Sequence, residues 1–240
     1  METTDGYLLG GRIRYRQPAA GHRTGIEPVL LAAAVPAQAG ELVLEGGTGA
    51  GAGLLCLGAR VPGLRGTGVE IDPGTVALAR HNLADNGLAD WRVLEGDVTA
   101  LVLPGDVDHA FANPPWYDPA GTPSPDMRRR LARQVYGAGL PGWARALVGA
   151  VRVGGTVTLI LPERQGPEAL RALDAAGCGE GILVPLWPKH GRPARIVLVQ
   201  GRRGSRRPGR ITRGLALHEE HGAYTPEAEA ILRLGAPLRV

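Results

Sequence analysis

Residues 41–52 read Glu41-Leu42-Val43-Leu44-Glu45-Gly46-Gly47-Thr48-Gly49-Ala50-Gly51-Ala52. The short apolar run suits a strand buried on both faces. The glycines after it allow φ above zero and let a ligand approach the backbone. Ala52 to Arg60 has helical composition. The stretch therefore predicts a strand, a glycine turn and a helix, the opening unit of an α/β fold that holds an adenosine-containing cofactor. The turn alone is ambiguous, because Gly47, Gly49 and Ala52 also satisfy the dinucleotide pattern G-x-G-x-x-G/A. Glu45, Gly47, Thr48, Gly49 and Gly51 are the first candidate cofactor contacts.

Outward from this unit, apolar runs alternate with Ala/Leu/Arg-rich stretches, which predicts a parallel sheet with crossover helices. Further strands are expected at Thr67 to Ile71, Trp91 to Leu94, Val107 to Ala112 and Thr156 to Leu161, the last after a Gly154-Gly155 turn. Gly181 to Leu186 and Ala194 to Gln200 read as a final pair. Helices are expected from Pro73 to about Asn86, from Pro167 to Ala176 and from Thr225 to Leu234, with Pro73 in a first turn, Gly87 as a stop and Thr225 as a cap. Asp118 to Leu140 reads as a loop with a partial helix.

Three more segments carry chemistry. Glu70, in Gly68-Val69-Glu70-Ile71-Asp72, lies about 20 positions beyond the glycine turn, where a carboxylate can accept both hydroxyls of a ribose. Asp97, in Glu95-Gly96-Asp97, can accept from an adenine amino group. Ile71 and Val98 flank these acids as candidate apolar contacts. The decisive segment is Asn113-Pro114-Pro115-Trp116 after the apolar strand Val107 to Ala112. Two prolines fix an extended loop and remove two N–H donors. What remains is a pair of acceptors, the Asn113 side-chain oxygen and the Pro114 carbonyl, beside the aromatic face of Trp116. Methylation of a planar NH2 group needs this set: two acceptors on its two N–H bonds and a surface on which a base can stack. Asn113, Pro114, Pro115 and Trp116 are the candidate catalytic residues, with Asn113 also beside the cofactor.

Together the E-G-G-T-G-A-G turn, V-E-I-D, E-G-D and N-P-P-W resemble the amino-group methyltransferases with an N-P-P-[FYW] signature. The resemblance implies S-adenosylmethionine as cofactor. It also implies a Rossmann-like class I methyltransferase fold, α/β and doubly wound, with a seven-stranded sheet whose last strand is antiparallel. Outside this core, Gly21-His22-Arg23-Thr24-Gly25-Ile26-Glu27-Pro28-Val29-Leu30-Leu31 resembles the segment preceding the fold in bacterial tRNA(Val) adenine-N6 methyltransferases. Pro185-Leu186-Trp187-Pro188, Gly191-Arg192-Pro193-Ala194 and Gly222-Ala223-Tyr224-Thr225-Pro226-Glu227-Ala228-Glu229 resemble that family too, so the match covers most of the chain. It implies that Thr24 and Glu27 contact the cofactor and that the substrate is an adenine of tRNA, in the anticodon loop. From the residues alone, Glu27 beside Pro28 reads equally as an acid at a helix N-terminus. Glu45 stands where aspartate is commoner. Gly46 stands where an apolar residue is usual, which predicts a looser turn. Trp116 stands where Phe or Tyr is commoner.

The formal charge is +4 and the pI about 9.5, which points to an acidic partner such as nucleic acid. Arginine supplies nearly all of it, since Lys189 is the only lysine. From Leu186 to Arg213 there are nine basic residues (Lys189, Arg192, Arg195, Arg202, Arg203, Arg206, Arg207, Arg210, Arg213) and no acidic one. Arg202, Arg203, Arg206 and Arg207 are candidate RNA-phosphate contacts, as are Arg128, Arg129 and Arg130 near the N-P-P-W loop; a solvated face is the competing reading. Cys56 and Cys178 are too few for a disulfide framework or zinc site, and no metal is expected. His218-Glu219-Glu220-His221 reads as a solvated segment. With no apolar run of spanning length and an acidic, polar start at Met1 to Asp5, a cytoplasmic protein without membrane contact is expected. The organisation expected is one methyltransferase domain over 1–240: a cap segment 1–40, a catalytic core 41–200, and a basic loop with C-terminal extension 201–240.

Competing activities are weaker. Release-factor glutamine methyltransferases share an N-P-P-Y loop but carry a helical domain ahead of the fold, for which a first strand near Glu41 leaves no room. Guanine-N2 methyltransferases on ribosomal RNA often carry a duplicated domain. DNA adenine is a further substrate class. A nicotinamide-dependent oxidoreductase lacks its Tyr-x-x-x-Lys pair here, and a silent RNA-binding module has no need of the Asn113-Pro114 acceptors.

Overall fold

The computed structural model describes residues 2–20, 23–115 and 138–240. Ahead of the apolar run the chain forms a hairpin that the sequence pattern does not announce: β1 (Thr3–Leu8) pairs antiparallel with β2 (Ile13–Pro18). Helix α1 (Glu27–Ala34) follows, then β3 (Leu42–Gly46), α2 (Ala52–Arg60), β4 (Arg65–Glu70), α3 (Pro73–Asp85), β5 (Arg92–Glu95) and β6 (Val107–Ala112). After residue 137 come α4 (Gly139–Ala150), β7 (Val151–Pro162), α5 (Gly166–Ala175), β8 (Cys178–Lys189), β9 (Ile196–Arg203), β10 (Arg210–Ile211), β11 (Leu215–His218) and α6 (Pro226–Leu234).

Local chemistry sets the element ends as expected. Asp72 caps α3 by accepting from Thr75 N at 2.8 Å, with Pro73 in the first turn. Thr225 caps α6 by accepting from Ala228 N at 3.2 Å, and Gly235 ends that helix at φ +71°. The Gly154-Gly155 turn is instead a bulge inside a longer β7: pairing with β6 shifts between Val107 and His109, and Gly154 sits at φ +84°.

The main sheet runs β10-β8-β9-β7-β6-β3-β4-β5, with β11 also on β8. β5, β4, β3, β6 and β7 are parallel, and β9 is antiparallel to both β7 and β8. This is the expected seven-stranded doubly wound sheet with an antiparallel last strand. Two short strands extend it, since β10 and β11 both pair in parallel with β8 and cover backbone groups an edge strand would leave open. Strand alternation splits the core into two layers. Val157, Leu159 and Leu161 of β7 face Trp143 and Leu147 of α4 and Leu173 of α5, while Ile160 faces the layer of Leu30, Leu54 and Leu57 from α1 and α2. Among the described residues no helix is long and apolar enough to cross a membrane.

Candidate active site

Register brings the candidate residues to one edge. Gly46 of β3 pairs with Val69 of β4 and Ala112 of β6, and Glu70 pairs with Glu95 of β5. The glycine turn, Glu70, Gly96-Asp97 and Asn113 therefore all emerge at the carboxyl ends of four adjacent parallel strands. Chain order reverses at β3, which runs outward through β4 to β5 and resumes at β6 on its other side. Such a switch point opens the crevice where open α/β sheets bind ligands.

Gly47, Gly49 and Gly51 have φ of +65°, +56° and +91°, conformations L side chains rarely adopt. A Cβ on Gly49 would stand in open space, whereas one on Gly47 would meet the Trp143 ring at 3.1 Å. The outer face of the turn is thus a cradle for a ligand and its inner face is packed. Glu45 lies on the inner side, 4% exposed. Its Oε2 accepts from Thr48 Oγ1 at 2.6 Å and from Leu54 N at 3.0 Å. Gly53 makes the room, since a Cβ there would lie 2.0 Å from Glu45 Oε1. Burial pushes the Glu45 carboxyl up to about 8, against the two hydrogen bonds, which pull it down.

Glu70 ties β4 to the turn: Oε2 accepts from Gly49 N at 3.0 Å, and Oε1 from Ile71 N at 2.9 Å and Asp72 N at 3.0 Å. Three of its roughly four acceptor positions are used; the Gly49 bond is the one ribose hydroxyls would share. Asp97 accepts both the N–H and the hydroxyl of Thr99 on Oδ1, at 2.8 and 2.7 Å. Val98 is buried and faces Gly46, and Ile71 packs beside it at the edge of the same layer. The half-buried Glu70 and Asp97 carboxylates, which accept hydrogen bonds, and the open face of Gly49 fit an adenosine cofactor whose ribose hydroxyls and amino group donate them.

Thr24 Oγ1 lies 2.7 Å from Tyr15 Oη, and its N–H donates to Gln17 Oε1 at 3.0 Å. Glu27 opens α1, and its carboxylate folds over Gly25. Asn113 and Pro115 are half-buried and Pro114 is buried. Trp116, Arg128, Arg129 and Arg130 lie outside the described residues, as does the loop expected from Asp118 up to residue 137.

Three residues that sequence reasoning missed build the inner wall. Tyr15 of β2 is buried and its hydroxyl pushed up to about 12, mainly by desolvation. Asn82 on α3 is 2% exposed; its Nδ2 donates to Arg16 O at 2.7 Å and to Ala50 O at 2.9 Å, and its Oδ1 accepts from Arg16 N at 3.0 Å. Trp143 of α4 is 4% exposed and, with Leu147 and Val98, lies 3.2 Å from where a Cβ on Gly46 would stand. The looser turn expected from Gly46 is therefore corrected: an indole fills the volume that a side chain at 46 would take. The only signals in the sequence were the apolar alternation Ile13/Tyr15 and the spacing Asn82/Asn86.

The basic residues between 186 and 213 divide between the two edges of the sheet. Lys189, Arg192 and Arg195 lie at the carboxyl edge, at the β8–β9 turn. Arg202 and Arg203 lie at the opposite edge, paired in register with Thr156 and Cys178, and Arg206 and Arg207 follow them before β10. Among the described residues no group of three or more His, Cys, Asp or Glu side chains is placed to hold a metal ion.

Residues 26–134 match the family model of the methyltransferase small domain. The chain is 29% identical over 220 residues to a tRNA1(Val) (adenine(37)-N6)-methyltransferase of Mannheimia succiniciproducens, covering 88% of this chain and 86% of that protein. It is 36% identical over 143 residues to a release factor glutamine methyltransferase of Deinococcus radiodurans, a match to 56% of this chain that spans only half of that relative's length. The crystal structure of a "predicted O-methyltransferase" from Agrobacterium tumefaciens superposes with a TM-score of 0.74 at 24% identity, over 89% of this chain and 99% of that one, a likeness of fold.

Proposed function

We propose that this chain, whose residues 26–134 match the family model of the methyltransferase small domain, uses S-adenosylmethionine to methylate the N6 amino group of an adenine in cytoplasmic tRNA, in the anticodon loop. One juxtaposition carries the reading. Asn113-Pro114 leaves β6 one residue beyond Ala112, which pairs with Gly46 at the mouth of the glycine turn. The acceptors for an amino group thus stand beside the cofactor cradle.

Bound S-adenosylmethionine supplies a methyl group already activated by its sulfonium, so the chain's task is positioning. Glu70 would hold the ribose hydroxyls and Asp97 would accept from the cofactor's adenine, with Thr24 and Glu27 as further cofactor contacts. Asn113 Oδ1 and the Pro114 carbonyl accept the two N–H bonds of the substrate amine. Its nitrogen lone pair, otherwise delocalised into the ring, would thereby be freed to face the cofactor's methyl group; transfer would exchange the S–CH3 bond for an N–CH3 bond, with S-adenosylhomocysteine as the leaving group and the surplus N–H proton passing to solvent. By resemblance, the stacking surface for the base would come from Trp116 or Tyr117. An anticodon-loop base can be splayed out without breaking a pair, which lowers the cost of bringing it to Asn113.

A second reading has an observation behind it. The glutamine-modifying relative is the more identical over its shorter match, and a carboxamide NH2 suits the same acceptor pair. One experiment separates them: methyl transfer from labelled S-adenosylmethionine into bulk tRNA from a strain lacking this gene, beside a release-factor substrate. N6-methyladenosine in the tRNA digest is expected, lost in Asn113→Ala while S-adenosylhomocysteine affinity stays within a few-fold. Label in release-factor glutamine, in guanine-N2 of ribosomal RNA or in DNA adenine instead would overturn the tRNA assignment.

A further inference from the structure

We infer that the β8–β9 turn, residues 189–195, is the surface on which the RNA backbone rests while its base occupies the site; the inference builds on the tRNA reading above.

Strand direction makes the case. β8 runs parallel to β7, because both are antiparallel to β9. Its carboxyl end therefore lies at the same edge as Asn113. Register links Ala112 through Leu159 and Val199 to Leu183 in one row. From Leu183, β8 continues six more residues to Lys189, roughly 20 Å past that row, and stands three strand spacings, about 14 Å, to its side. A base reaching Asn113 must arrive over this edge, and a turn projecting from it meets the phosphates that accompany the base. Arg203, four residues beyond Val199 in the other direction, lies roughly 13 Å below the row, on the side the base does not enter.

The two groups of arginines also differ in how they are used. At the lower edge Arg202 contacts Glu180 at 3.3 Å and donates to Gly154 O, and Arg203 donates to Gly149 O and Val151 O. Arg207 and Arg210 lie 3.9 and 4.0 Å from the same Glu180. Those four cations are met by groups of the fold itself, whereas Arg206 beside them is exposed and in no ion pair among the described residues. At the carboxyl edge His190, Arg192 and Arg195 are exposed, and among the described residues neither arginine makes an ion pair.

The backbone carrying them is held. Arg192 N donates to Lys189 O at 3.2 Å across a tight turn with Gly191 at φ +70°, and Glu163 N donates to Arg195 O at 3.1 Å. Lys189 Nζ donates to Glu220 O at 2.9 Å, and the neighbouring His218 ring stacks on Tyr224 at 4.7 Å. Two acidic residues meet the turn through their backbones, Glu163 at Arg195 O and Glu220 at Lys189 Nζ. A braced turn with guanidinium groups outside any ion pair among the described residues is suited to phosphate, where it supplies affinity and orientation without base preference.

The test is binding of unmodified bulk tRNA over a series of KCl concentrations, with S-adenosylhomocysteine affinity measured on the same preparations. Arg192→Ala/Arg195→Ala should weaken tRNA binding and lower the slope of log Kd against log[KCl] by roughly 0.7–0.9 for each phosphate that is no longer neutralised, with the S-adenosylhomocysteine affinity unchanged. Arg192→Lys/Arg195→Lys should retain the parent slope, since an ammonium serves as a point charge. The inference is overturned if the Ala pair keeps the parent slope, or if the slope falls in Arg206→Ala/Arg207→Ala instead. A parent protein that neither binds nor methylates tRNA would sink the functional reading itself, and with it this surface.

Discussion

Replacing Asn82 by alanine tests how the N-terminal hairpin is joined to the cofactor turn. Asn82 and Asn86 both meet β2 from α3: Asn86 Oδ1 accepts from Arg14 N at 3.0 Å and its Nδ2 donates to Arg14 O at 2.8 Å, as Asn82 does with Arg16. Two residues along a strand advance about 6.6 Å and four along a helix about 6.0 Å. The two amides therefore match the strand's spacing and serve as its pairing partner. Each amide makes a third bond, but Asn86 Nδ2 donates within its own helix, to Asn82 O at 2.7 Å, whereas Asn82 Nδ2 reaches Ala50 O in the glycine turn at 2.9 Å. Asn82→Ala removes three hydrogen bonds, and the Ala50 carbonyl it strands is buried. At about 1 kcal/mol for each bond, the loss is about 3 kcal/mol. Asn86→Ala, at the exposed end of the ladder where water replaces the amide, should cost about 1 kcal/mol. Urea unfolding gives both numbers. Titration with S-adenosylhomocysteine should show weaker binding for Asn82→Ala and unchanged binding for Asn86→Ala. Equal costs for the two, or an Asn82 variant with parental cofactor affinity, would refute the link between hairpin and turn.

Two further predictions concern the inner side of the turn. Because burial raises the Glu45 carboxyl from 4.5 to about 8, folding favours its protonated form. The unfolded chain releases the proton first as pH rises, so this stability is complete below about 4.5 and is lost progressively up to about 8. By pH 7 roughly 3 kcal/mol has gone. Glu45→Gln should flatten the difference between urea midpoints at pH 5 and pH 8, and a variant as pH-sensitive as the parent would exclude a buried acid as the cause. Trp143→Ala should cost about 3–5 kcal/mol, and Gly46→Val, costing about 1–3 kcal/mol in the parent, should instead raise the melting temperature in the Trp143→Ala background. The same sign in both backgrounds would mean that the ring does not occupy the volume left by Gly46.

The strands that carry the site were legible because each is a short apolar run stopped by a glycine or an acid. Leu42–Gly46, Arg65–Glu70 and Val107–Ala112 lie within two residues of where the pattern puts them. The hairpin was not legible, since the alternation of Ile13 and Tyr15 with Arg14 and Arg16 is too short before Gln17 ends it, and its partner on one side is a helix rather than a strand. β10 and β11 are two and four residues long, so their composition carries little signal and their pairing on β8 arises only after the chain has turned. The arginines were visible as a cluster in sequence. Their division between two edges was not, because it depends on β9 reversing direction and carrying Arg202 and Arg203 away from the site.

The glycine turn draws its support from parts of the chain that local sequence cannot connect. Its outer face is set by its own positive-φ glycines, which is why the motif could be read directly. Its inner face is closed by Asn82 through Ala50, by Trp143 against Gly46 and Gly47, and by Glu45, whose pocket also holds Cys56 near Tyr15. Trp143 belongs to the helix that follows the segment introduced by Asn113-Pro114, while Tyr15 and Thr24 belong to the segment ahead of β3. A displacement of either flank thus reaches the turn through a packed side chain rather than through the sheet, whose register is held by backbone bonds. It follows that substitutions at Trp143 or Asn82 should alter cofactor affinity before they alter the sheet, whereas substitutions at Leu44 or Phe111, fully buried in the strands themselves, should lower both together.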